Sequence, residues 1–144
     1  ITINASDNDG NAATAVSSTF TIDTVPPTLT ISSPTAGLIT NKAALNVTGK
    51  TNDATSSPIT LTMTLNGTSL GTVTVGSDGS FTKAVTLAEG TNSIVVTAKD
   101  GAGQTTSITL SVKLDTTVPE LKGITLSPNP VSTSASVAIT VEVS

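Results

Sequence analysis

The chain has 144 residues, a net charge of −4, no Cys, no His and no Arg, and its aromatic residues are Phe20 and Phe81 alone. These figures exclude disulfides, thiolate chemistry and imidazole proton transfer. They also exclude the basic stripe of a nucleic-acid binder, since six scattered lysines face ten acids. No run of about 18 apolar residues is present, so no membrane insertion is expected. The core must come from Val, Ile, Leu and Ala, while 30 Thr and 18 Ser supply a surface of small hydroxyls. Thr is β-branched yet polar and suits the solvent face of a strand.

The chain opens within a strand-like pattern, with no leader-like segment ahead of it. After a turn at Asp7-Asn8-Asp9-Gly10-Asn11, the alternating residues Val16, Ser18, Phe20 and Ile22 lead to the linker Asp23-Thr24-Val25-Pro26-Pro27. Leu29 and Ile31 then share one strand face, and Ser33–Gly37 breaks it. Ala43, Leu45 and Val47 form the next inward set, expected to end at Gly49, with Lys50–Pro58 read as a loop. Ile59, Leu61, Met63 and Leu65 alternate strictly with threonines, the clearest period-two pattern in the chain. Asn66-Gly67 is a favoured hairpin turn, because both residues tolerate positive φ.

Leu70, Val73 and Val75 mark the return strand, and Gly76-Ser77-Asp78-Gly79 turns it. Phe81, Val85 and Leu87 follow, then Ile94, Val96 and Ala98, a turn at Asp100-Gly101-Ala102-Gly103, and a last strand over 106–114. Lys83 shares the inward parity of Phe81 and Val85. A stem laid on the core with its ammonium in water accounts for it, as would a local bulge. An isopeptide lysine would need an aromatic shell and a buried acid, and neither is visible in the sequence. Seven or eight short strands at this spacing, with no 3.6-residue period, predict an all-β, immunoglobulin-like β-sandwich with essentially no helix.

A repeat organises these strands. Ala5–Asn11 and Ala98–Gln104 are similar phrases 93 residues apart, and the linkers beginning at Asp23 and Asp115 are 92 apart. Leu29, Ile31 and Pro34 have counterparts at Ile124, Leu126 and Pro128, and Leu45–Val47 at Ile139–Val141. Residues 1–24 thus read as the C-terminal strands of one module, 25–118 as a complete module, and 119–144 as the N-terminal strands of a third. Pro26-Pro27 and Pro119 make the joints semi-rigid.

The phrases Ile31–Gly37, Val47-Thr48-Gly49, Leu65-Asn66-Gly67, Asp78–Phe81, Leu87–Ile94, Ala98–Gln104 and Asp115–Pro119 together resemble bacterial Ig-like domains, especially the type found as domain B of glucodextranase and in many surface proteins. Gln104 stands where Asn is usual in that resemblance, a change expected to matter little. The resemblance implies a bacterial extracellular or cell-surface location. Modules of this kind sit in adhesins and in polysaccharide-active enzymes alike, so fold alone does not name the function.

The sequence offers no nucleophile with a base, so no enzyme activity is expected. Calcium is the one ion that the acids suggest, because it takes several oxygen ligands from closely spaced Asp and Asn. Candidate ligands are Asp7 and Asp9 in the first turn, Asp100 in its equivalent, and the linker residues Asp23 and Asp115. Bonding of Asp7 and Asp100 to their own turn amides is the competing structural explanation. A junction site is a further expectation, with Asp7 meeting Asp23 and Asp100 meeting Asp115 at a module end. The expected role is a spacer or stalk built of tandem modules, whose partners are neighbouring modules of the same chain. The alternative is an accessory or adhesive module that binds a surface protein or glycan, although exposed Trp and Tyr are lacking.

Overall fold

A computed structural model describes residues 1–53, 57–127, 136 and 138–143. Two short strands, β1 (Thr2–Ile3) and β2 (Val16–Ser17), pair antiparallel at the N-terminal end. The central part comprises β3 (Thr28–Ser33), β4 (Ile39–Thr40), β5 (Ala44–Asn52), β6 (Thr60–Leu65), β7 (Thr68–Val73), β8 (Ser80–Thr86), β9 (Gly90–Lys99) and β10 (Thr105–Leu114). A second hairpin, β11 (Leu121–Ser127) with β12 (Ala138–Val143), follows. There is no helix among the described residues. The counterpart proposed at Pro128 lies outside the described residues.

The central strands form a three-stranded sheet, β3-β5-β8, and a five-stranded sheet, β4-β10-β9-β6-β7. All pairings are antiparallel except β4 with β10. One sheet contributes Leu29, Val47, Phe81 and Val85 to the core; the other contributes Leu61, Met63, Val73, Ile94, Val96, Ala98, Leu110, Val112 and Leu114. These are the residues that the two-residue period assigned inward, and the immunoglobulin-like sandwich expected from them is the fold observed. Burying alternate side chains of both sheets is what holds two such layers together.

Two details differ from the sequence reading. Gly49 does not end its strand: β5 continues to Asn52, Gly49 pairs with Phe81, and Thr51 is buried. A Cβ on Gly49 would stand 2.7 Å from Phe81 Cζ and collide with the Thr30 carbonyl oxygen. The glycine therefore marks close approach of a ring and a neighbouring strand, not a chain break. Strand β4 was not foreseen, because two residues carry no period; it lies parallel to β10 through Lys113 and Leu114.

Lys83 sits half-buried opposite Val47, in a β5–β8 ladder that runs without a register shift. The bulge explanation is thereby excluded, and a partly covered stem remains.

Candidate functional site

The turns at Asp7 and Asp100 are built alike. Asp7 N donates to Asn11 O at 3.0 Å and Gly10 N donates to Asp7 O at 3.2 Å. Asp100 N donates to Gln104 O at 3.0 Å and Gly103 N donates to Asp100 O at 3.3 Å. In each, the aspartate Oδ1 accepts the amide four residues on, at 2.8 Å. Gly10 and Gly103 both take positive φ, which closes the turn without strain.

The second carboxylate oxygens differ. Asp7 Oδ2 accepts from Asn11 Nδ2 at 2.9 Å. At the equivalent place Gln104 gives Asp100 Oδ2 no such bond: that oxygen is buried and has no hydrogen-bond donor. The Asn-to-Gln difference, expected to matter little, coincides with an open acceptor on a residue only 5% exposed. Asp7 is fully exposed, and the bonds from the Asn11 side chain and amide hold its carboxyl below the usual carboxylate range. Asp9 lends its amide to Asp7 Oδ1 at 3.0 Å and is itself exposed.

The two linker aspartates also share one motif. Val25 N donates to Asp23 Oδ1 at 3.0 Å, and Thr117 N to Asp115 Oδ1 at 3.3 Å. Each bond bends the backbone just past the aspartate. Asp115 additionally takes a bond from Lys113 Nζ at 3.0 Å. That bond, the Thr117 amide and the lysine charge lower its pKa.

Asp100 and Asp115 do not meet. They lie at opposite ends of β10, a ten-residue strand about 33 Å long at its usual rise. The expectation that bracketing a strand pair would bring them together is corrected by this length. Asp100 instead meets Asp23 and Asp53, an acid of the polar stretch 50–58 that has no local signature of a site. One carboxylate oxygen from each of the three lies within 4.8 Å of those of the other two. Asp7, Asp9 and Asp115 are not in this group. Asp23 and Asp53 are half-buried and Asp100 is buried. The linker aspartate thus meets the turn of the sandwich that follows it, and Asp53 joins from the end of β5. A groove of about 280 Å³ runs beside Asp53, walled by Thr51, Pro58, Ile59, Val75 and Gly79.

Both linkers are fixed to the central sandwich. Pro27 is fully buried, and its carbonyl accepts a 2.6 Å bond from Thr106 Oγ1. Asp115 N donates to Thr40 O at 2.9 Å. Glu89 accepts from Thr116 N at 3.2 Å and from Thr116 Oγ1 at 2.8 Å.

Paired sheets of this order, a parallel edge strand and tied linkers define an immunoglobulin-like sandwich module. The chain belongs to the family of glucodextranase domain B, whose pattern residues 27–116 match. No curated protein matches it. Among solved structures, it is similar to the fibronectin(III)-like modules of Clostridium thermocellum CbhA, with 17% identity and a TM-score of 0.52 over 79% of this chain and 60% of that one. The chain therefore spans three-fifths of that structure. An engineered protein shows 24% identity and a TM-score of 0.44, over 62% of this chain and 20% of its own.

Proposed function

We propose that the chain is a non-catalytic spacer: tandem immunoglobulin-like modules in a stalk of a bacterial extracellular or cell-surface, adhesin-like protein. The observation that carries this reading is the fastening of both linkers, through Pro27 to Thr106 on one side and through Asp115 and Thr116 to Thr40 and Glu89 on the other. Short tied joints hold successive modules at a set angle, whereas free linkers would let them fold back.

In this reading residues 1–24 and 119–144 belong to neighbouring modules. The large apolar residues of their strands support it: Ile3 and Val16 at one end, and Leu121, Ile124, Ile139 and Val141 at the other, stand exposed as the inner faces of sheets without their partners would. The matching pairs of turns and linkers, Asp7 with Asp100 and Asp23 with Asp115, support a repeat in the same way. Small-angle scattering in solution is the test. An elongated particle is expected; a compact sphere-like profile sinks the proposal.

The second reading is an accessory or adhesive module of a secreted polysaccharide-active protein. The glucodextranase family name favours it. A polysaccharide panel separates the two: saturable binding to an α-glucan or another glycan would promote the second reading over the first.

A further inference from the structure

We propose that Asp23, Asp53 and Asp100 form a calcium site that couples the linker at Asp23 to the sandwich that follows it. Three carboxylates gathered this closely repel one another unless a cation neutralises them. Their oxygens lie within 4.8 Å of each other, the widest spacing that two ligands of one Ca²⁺ can have at about 2.4 Å each. The donors are all oxygen, which suits a hard cation, and the chain has no His or Cys to favour zinc.

The second observation is Asp100 itself. It is 95% buried, with 5% exposure. Its Oδ1 is engaged by the Gln104 amide, while its Oδ2 is buried without a donor. Leaving such an acceptor unmet costs free energy. The matching turn at Asp7 shows how readily the same oxygen is satisfied when an Asn amide stands beside it. Oδ2 of Asp100 is thus the atom kept for a ligand from outside the protein. Backbone carbonyls and water complete the six to eight oxygens that calcium takes.

The three residues come from three parts of the chain: the linker, the end of β5 and the β9–β10 turn. Binding adds, at Asp23, a second hold on a linker that Thr106 already ties at Pro27. This site stands apart from the spacer reading: particle shape tests the spacer, and cation titration tests the site.

The experiment is calorimetric titration of the 144-residue chain with CaCl2, together with melting in calcium and in EDTA. We expect one site per chain, with a Kd in the range of about 0.1–1 mM typical of extracellular modules. We expect the melting temperature in about 10 mM calcium to rise by several degrees over that in EDTA. Asp53→Asn, just past the end of β5, weakens binding by about tenfold or more. Asp23→Asn, outside the sandwich, does the same, and Asp7→Asn titrates like the parent chain. Absence of heat and of any melting shift overturns the site. Parent-like binding by Asp53→Asn overturns it too, and parent-like binding by Asp23→Asn overturns the coupling to the linker. An equal response to Mg²⁺ overturns the assignment to calcium.

Discussion

Asn66 and Asn92 meet at one end of the sandwich, where Asn66 Nδ2 donates to Asn92 Oδ1 at 3.0 Å. Asn92 is fully buried. Its Oδ1 also accepts from Ala88 N at 2.9 Å, and its Nδ2 donates to Ala88 O at 2.7 Å and Gly90 O at 3.0 Å. Asn66 Oδ1 in turn accepts from Ser93 N at 2.8 Å. One buried amide thereby fixes the crossing from β8 to β9 and joins it to the β6–β7 hairpin.

Asn92→Ala therefore leaves the Ala88 amide and two carbonyls without partners. A loss of about 3 kcal/mol is expected in urea unfolding, since several hydrogen bonds are lost together and each contributes about 0.5–1.5 kcal/mol. Asn66→Gly is milder, about 1 kcal/mol, because glycine accepts the positive φ of 51° that Asn66 holds while losing only the side-chain bonds. Equal effects of the two substitutions would contradict this ranking.

Gly49→Ala is expected to cost about 3 kcal/mol through overpacking. The added methyl meets both the Phe81 ring and the Thr30 carbonyl oxygen. Phe81→Leu frees only the first of these. The double variant should thus remain less stable than Phe81→Leu alone, as measured by denaturant midpoints.

Acid should weaken the fold through Asp78 and Asp115. The Ser80 hydroxyl, the Ser80 amide and Lys50 lower the pKa of Asp78, and Lys113 and the Thr117 amide lower that of Asp115. A carboxyl with a folded-state pKa below its unfolded one adds stability above the unfolded value. That stability is lost as pH falls through the folded value, so the window opens below about pH 4. Asp78 is exposed and Asp115 only half-buried, so solvent screens both and the effect is small. Asp115→Asn should flatten the pH dependence of the urea midpoint in this range, lowering the midpoint slightly at pH 7 and leaving it nearly unchanged below about pH 3.

Thr106→Val keeps the shape of the side chain but removes the bond to the Pro27 carbonyl. A loss of about 1 kcal/mol is expected. Amides of the preceding linker should exchange faster with solvent, while those of β9 stay protected. Unchanged linker exchange would show that burial of Pro27 alone fixes this joint.

The sandwich was legible because its core follows a two-residue period, from Leu61 and Met63 to Ile94, Val96 and Ala98, and a sheet buried on one face must show that period. Gly49 misled because a glycine that breaks a strand and one that admits a ring look alike in sequence. Asn92 carries the inward parity of Ile94, yet a polar residue at an inward position gives no sign of whether its partners exist. The aspartate cluster was half legible. The chemistry of Asp23 and Asp100 could be read from their turns. Asp53 could not, because nothing local distinguishes it from any other acid in a polar stretch, and only the tertiary fold brings it to the other two.

The carboxylate trio also bears on how such proteins are dissected. The domain B family match begins at residue 27, four positions after Asp23. A fragment cut at that boundary would retain every core residue and fold as a sandwich, yet it would lack one of the three acids. Properties that depend on residues just ahead of the matched span would then go unseen in the fragment.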